Sequence, residues 1–289
     1  MLLSYRHACA IVCLKKDCGM IDMKFSVTTY VTRNVMLPED LIPKLAEWGY
    51  DGIELWGGRI YKSGQPKWGL EGRTENEIKR LKDLVDQYGL EVPAVSTYFR
   101  FTAGSETYKK SLQTGKRYCE IAKLFGAKVI RVVGEGISSS EMTEDKWKVF
   151  IKGLKDLASL GDKYDVIFGL ELHKNTPHDT ILGMLRCIWQ ADTPRIRVLY
   201  QPTTTSELEP ELDQMWVLDK LFPYIVHVHI QAKTSFKHDT LVSRIHSHVH
   251  WSQILQEMKQ RGYSGYISIE KVPHPLKNLQ KEIRWLRRF

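Results

Sequence analysis

One unit recurs along this chain: a helix-forming stretch, a glycine, two or three residues, then a short buried strand. The tripeptides Gly49-Tyr50-Asp51, Gly126-Ala127-Lys128 and Gly262-Tyr263-Ser264 each lead into such a strand. The glycines stand where a helix wants a left-handed residue to stop it. Short β-branched or apolar runs followed by polar residues or glycine mark eight strands. They are Phe25–Tyr30, Gly52–Trp56, Glu91–Val95, Val129–Val133, Ile167–Glu171, Arg197–Tyr200, Ile225–Ile230 and Tyr266–Glu270. Between them, apolar residues recur at helical spacing, as Ile78, Leu81, Leu84 and Val85 do. Thr74 with Glu77 reads as a capping box at the start of that helix. Strands alternating with helices imply a parallel sheet covered by helices. Eight such units close a barrel at about 250 residues. A doubly wound sheet would need a glycine-rich phosphate loop after its first strand, and Tyr30–Met36 contains no glycine. The expected fold class is α/β, a single (β/α)8 TIM barrel over residues 23–289.

Residues 1–22 do not follow this pattern and are read as an N-terminal extension. Met23 directly precedes the first strand, so translation starting there would make the extension a start-site artefact. The apolar run Ala8–Leu14 is interrupted by Lys15, Lys16 and Asp17, which makes a poor signal peptide. No segment reaches the roughly 20 apolar residues of a membrane span. Cys9, Cys13, Cys18, Cys119 and Cys187 form no paired framework, so free thiols and a cytoplasmic location are expected. The net charge is +8. Part of it lies in Lys277, Lys281, Arg284, Arg287 and Arg288, interleaved with Leu276, Leu279, Ile283 and Leu286 at helical spacing. That is an amphipathic last helix with a solvated basic face, and neither a nucleic-acid nor a membrane partner is expected.

In a barrel of this kind, chemistry sits at the C-terminal ends of the strands. Strand five ends in Glu171, with His173 just beyond. Strand six runs into Gln201, strand seven carries His227 and His229, and strand eight ends in Glu270. Arg131 lies on strand four and Glu54 on strand two. One imidazole and two carboxylates converging from three strands make a divalent-metal pattern, suited to Mn²⁺, Mg²⁺, Co²⁺ or Zn²⁺. Without a cation, two buried carboxylates side by side would force one to keep its proton. His173, Arg131, Trp56 and Lys233 are candidate substrate contacts. Arg131 has a second reading, pairing with a barrel carboxylate, and Lys233 and Lys237 a second reading as surface lysines. His246, His248 and His250 have period-two spacing but fall in the long segment after strand seven, where a loop role is expected.

These pieces resemble the xylose-isomerase-like barrels, the sugar phosphate isomerase/epimerase superfamily. The matching stretches are GYDGIELW at Gly49–Trp56, VPAVSTY at Val92–Tyr98, GAKVIRVVGEG at Gly126–Gly136, GLELH at Gly169–His173, HVHI at His227–Ile230 and GYSGYISIE at Gly262–Glu270. The resemblance implies one divalent metal held by Glu171, Gln201, His229 and Glu270, with Glu171 and Glu270 also moving the substrate's proton. It departs at Gln201, where an aspartate is usual, so weaker metal binding is expected. The DNA-repair branch would need further histidines at the ends of strands two and three, and Trp56-Gly57-Gly58 and Ser96-Thr97-Tyr98 supply none. The implied activity is isomerisation or epimerisation of a keto-sugar, sugar phosphate or sugar acid through an enediolate. The alternatives are a dehydratase using the same site and a non-catalytic sugar-binding relative with a degenerate metal site. Homo-oligomers are common in the superfamily.

Overall fold

The structure is a computed structural model that describes residues 23–58, 67–231 and 249–289. Eight parallel strands form one sheet: β1 (Lys24–Thr28), β2 (Gly52–Glu54), β3 (Ala94–Phe99), β4 (Val129–Gly134), β5 (Ile167–Glu171), β6 (Ile196–Tyr200), β7 (Ile225–Gln231) and β8 (Tyr266–Lys271). Their order is β2-β1-β8-β7-β6-β5-β4-β3. The two edges meet through the parallel bridges Gly52↔Glu91 and Leu55↔Val95, which bring the sheet round into a nearly closed TIM barrel. Helices α1 (Pro38–Trp48), α2 (Glu75–Gln87), α3 (Ser105–Phe125), α4 (Glu144–Tyr164), α5 (Ile181–Ala191), α6 (Pro202–Leu208), α7 (Gln214–Leu221), α8 (Trp251–Gln260) and α9 (Pro275–Leu286) lie between and after them.

Several elements differ from the expectation: β1 ends at Thr28 rather than Tyr30 and β2 at Glu54 rather than Trp56. β3 begins at Ala94 rather than Glu91, because Pro93 has no N–H to give a ladder. Glu91 joins only through its isolated bridge. A short helix, α6, follows β6 directly; Pro202 occupies its first turn, where a missing N–H is harmless. A 3-10 turn at Ser139–Glu141 precedes α4. The Thr74–Glu77 capping box is present, and Gly49 and Gly126 end α1 and α3 in the left-handed conformation.

Alternation along the strands sorts the side chains. Val27, Ile53, Ile130, Val132, Leu170, Val228, Ile230, Ile267 and Ile269 belong to the apolar core. The intervening positions are polar and equally buried: Ser26, Glu54, Ser96, Arg131, Glu171, His227, His229, Gln231, Ser268 and Glu270. The polar groups meet one another inside the barrel, and that column of hydrogen bonds positions the site.

Candidate active site

β5 and β8 each deliver one glutamate to the C-terminal end of the barrel. Glu171 is fully buried and Glu270 is 5% exposed. Such carboxylates need compensation, because an isolated buried charge is prohibitive. Four side chains supply it. Gln201 Nε2 donates to Glu171 Oε1 and to Glu270 Oε2, both at 3.0 Å, so one amide bridges the pair. Arg131 Nη2 donates to Glu171 and, at 3.3 Å, to Glu270 Oε1. His229 Nδ1 donates to Glu171 Oε1 at 2.7 Å. Gln231 Nε2 adds a donor to Glu270.

The charges settle each other. Burial opposes ionisation of Glu171, but the Arg131 guanidinium and the His229 ring outweigh it and hold the carboxyl ionised, well below its usual range. Burial likewise opposes charging of His229, and the Glu54 and Glu171 carboxylates reverse that, pushing it up to about 10. Arg131 stays charged for the same reason, with Glu171 its strongest partner against burial.

Beneath this pair is a second tier. Glu54 Oε2 accepts from His229 Nε2 at 2.8 Å and lies 3.0 Å from His227 Nε2, while Ser96 Oγ donates to Glu54 Oε1 at 2.9 Å. His227 Nε2 is also 2.9 Å from Ser268 Oγ, which meets Ser26 Oγ at 2.6 Å. Burial lowers the His227 ring below its usual pKa despite Glu54, so one ring of this tier is neutral and the other charged.

The donor atoms of Glu171, His229 and Glu270 lie within 4.8 Å of one another, and so do those of Glu54, His227 and His229. The upper trio, two carboxylate oxygens and one imidazole nitrogen, fits a divalent cation by chemistry and spacing. Gln201 turns its amide nitrogen toward the carboxylates and its oxygen to Thr204 Oγ1 at 2.7 Å. Exchanging the amide ends would present the oxygen to a cation. Thr204 could then accept instead of donate, so that side loses nothing.

The other sequence candidates separate. Trp56 donates from Nε1 to the Tyr98 hydroxyl at 2.8 Å and meets Tyr30 edge-on with ring centroids 5.1 Å apart. His173 bonds the Lys174 carbonyl through Nδ1 at 2.9 Å and makes no hydrogen bond to the carboxylate pair, though its charge acts on Glu171. Trp56 and His173 instead line one cavity of about 390 Å³, together with Tyr30, Tyr98, Arg100 and Lys174. The Arg131 guanidinium lies 5.9 Å from the Tyr98 ring, which connects that cavity to the carboxylates below. Lys233, Lys237, His246 and His248 lie outside the described residues, as do residues 1–22.

Sequence reading gave no role to Glu54, Gln231 or His178. The period-two run His227, His229, Gln231 was the available signal for Gln231. His178 offered none: its ring returns from the loop after β5 and donates through Nδ1 to the Glu171 carbonyl at 2.7 Å. Burial pulls its pKa down to about 4, so the ring is neutral and fixes the end of β5.

Comparison with known proteins agrees with this architecture. A 3-dehydroshikimate dehydratase from Bacillus anthracis is 21% identical over 276 residues, covering 90% of this chain and 94% of its own. The crystal structure of a probable 3-DHS dehydratase from the same organism superposes with a TM-score of 0.74 at 20% identity, covering 92% of this chain and 99% of that one. A D-psicose 3-epimerase from Clostridium cellulolyticum superposes with a TM-score of 0.68 at 15% identity, covering 86% and 84%. Residues 42–289 match the sequence family described as the xylose isomerase-like TIM barrel, and the chain belongs to that family.

Proposed function

We propose that this protein is an enzyme that takes a proton from the carbon beside a carbonyl in a small polyhydroxylated substrate, assisted by a divalent metal. One arrangement supports the reading above the rest. Glu171 and Glu270, from β5 and β8, are bridged by Gln201 and Arg131 with His229 alongside, next to the cavity that holds Trp56 and His173. Glu171, His229 and Glu270 would hold the metal, with Gln201 as a fourth, neutral ligand. When bound, the metal supplies positive charge opposite the substrate's oxygens. Mn²⁺ is the first ion to test.

The residues divide the remaining work. Glu270 is the more accessible carboxylate and serves as base, while Glu171, ionised in the free protein through Arg131 and His229, would first take up a proton from solvent and then return it to the substrate. Return to the opposite face of the same carbon gives epimerisation; return to the neighbouring carbon gives isomerisation. The substrate on this reading is a keto-sugar, sugar phosphate or sugar acid.

A dehydratase is the second reading, and one observation favours it besides the relative named for that activity. The cavity presents Arg100 and His173, with Lys174 paired to Glu207 at 2.6 Å, and no carboxylate is among the described residues that line it. That lining suits a substrate bearing its own carboxylate. The first step is the same proton removal; the electron pair then expels the hydroxyl one carbon further along, which leaves as water after taking up a proton.

The test is exchange in heavy water with added Mn²⁺, using a panel of ketoses and 3-dehydroshikimate. Deuterium incorporation or water loss is expected with one of them, reduced by about 100-fold or more in Glu270→Gln. Neither exchange nor turnover with any, alongside sugar binding, would instead mark a non-catalytic binding protein.

A further inference from the structure

The lower tier, Glu54, His227 and His229, can be taken for a second metal site, because its three donor atoms lie as close together as those of the upper trio. Its hydrogen bonds argue otherwise. Glu54 is fully buried, and its oxygens already face three side chains, His229 and His227 at Oε2 and Ser96 at Oε1. His227 is shared with Ser268, which is shared with Ser26. Each of these groups lies wholly inside the barrel, below Glu171.

His229 joins the two tiers. Its Nε2 points down to Glu54 at 2.8 Å, and its Nδ1 points up to Glu171 at 2.7 Å, with Glu270 Oε2 3.9 Å away. An imidazole has two nitrogens, and the partner of one decides what the other presents. A carboxylate on Nε2 keeps the proton there, fixes the ring plane and makes Nδ1 the nitrogen offered to the carboxylate pair.

We infer that Glu54 is a positioning residue. It fixes the tautomer and orientation of His229, so that Nδ1 is delivered to the Glu171–Glu270 pair, and the lower tier holds no metal of its own. This rests on the proposed role of His229 as a ligand. The chemistry is that of a carboxylate orienting a ligating histidine, whose loss typically weakens metal binding by about 10–100-fold.

The experiment uses the full chain labelled with ¹⁵N at histidine, as wild type, Glu54→Gln and Glu54→Asp. Circular dichroism first establishes which variants fold, and Glu54→Asp supplies the comparison where Glu54→Gln does not. Imidazole NMR of the metal-free protein should show a slowly exchanging Nε2–H on His229 in the wild type, lost in Glu54→Gln and weakened in Glu54→Asp. Mn²⁺ titration should give one site per chain, about 10–100-fold weaker in Glu54→Gln. An unchanged His229 Nε2–H signal, a second Mn²⁺ site removed by His227→Asn, or Mn²⁺ affinity within twofold of wild type in Glu54→Gln would overturn the inference. Failure of the wild type to bind Mn²⁺ would instead count against the proposed function, and the NMR comparison would still decide the role of Glu54.

Discussion

At the scale of residues, two positive groups and three carboxylates share the barrel interior: Arg131 and His229 against Glu54, Glu171 and Glu270. One negative charge remains in the metal-free barrel, and a divalent ion that takes His229 as a ligand displaces its Nδ1 proton and so meets two. Gln201 brings none, whereas an aspartate there would bring one more. Gln201→Asp should therefore tighten Mn²⁺ by roughly tenfold or more, read by titration calorimetry; unchanged affinity would show that position 201 does not face the ion. Arg131 acts oppositely. Removing it leaves two buried carboxylates short of a cation, so Arg131→Gln should destabilise the metal-free protein by about 3–5 kcal/mol, and Mn²⁺ should recover part of the loss. A melting curve indifferent to both the substitution and Mn²⁺ would contradict the charge balance. Glu171 and Glu270 were legible as site candidates because each ends an apolar run where a carboxylate has no structural excuse. Glu54 was named on strand two but its role was not legible, because its histidine partners lie on β7, some 175 positions away, and no local pattern encodes that meeting. The orientation of the Gln201 amide was equally hidden, since Thr204 and the glutamates choose it together.

At the scale of elements, the seam between β2 and β3 is the thinnest part of the barrel, with two isolated bridges where the other strands have continuous ladders. Gly57 lets it close. A Cβ there would lie 2.2 Å from the Ser96 carbonyl oxygen, a backbone atom that cannot step aside. Gly57→Ala should cost about 1–3 kcal/mol in denaturant unfolding. It should also lower activity, because Ser96 and Glu54 flank the same seam. The start of α2 gives a pH test. Lys67, at 2.8 Å from both Glu77 oxygens, and the Thr74 cap lower Glu77 from 4.5 to about 2. A lowered carboxylate contributes stability above its unfolded value, and the contribution fades as pH falls toward 2. Wild type should melt higher than Glu77→Gln at neutral pH, with the two curves converging as pH drops from about 4.5 to about 2. A constant gap would mean that the ion pair contributes nothing. The same capping box was readable from Thr74 and Glu77 alone, because its signal spans four residues. β3 was displaced in the reading by Pro93, and α6 was hidden by a run of threonines whose helical state depends on burial between neighbours.

At the scale of the whole molecule, the eightfold alternation was legible in outline because each unit carries its own apolar strand and several helices stop at a glycine, as at Gly49, Gly89, Gly126 and Gly262. What it could not carry is the interior, where the inward positions of the strands are polar and are satisfied only once the barrel closes. That polar column separates an upper trio, Glu171, His229 and Glu270, beside the Trp56–His173 cavity, from a lower tier centred on Glu54. None of the described helices is long and apolar enough to cross a membrane. Binding at the upper trio should stabilise the entire chain, by about 2.7 kcal/mol at 100 times the dissociation constant, visible as a rise in melting temperature with Mn²⁺ concentration. The most direct measurement is anomalous diffraction at the manganese edge from crystals equilibrated with Mn²⁺. One peak is expected, within bonding distance of Glu171, His229 and Glu270. A peak between Glu54 and His227, or none at a concentration that saturates the solution titration, would contradict that placement.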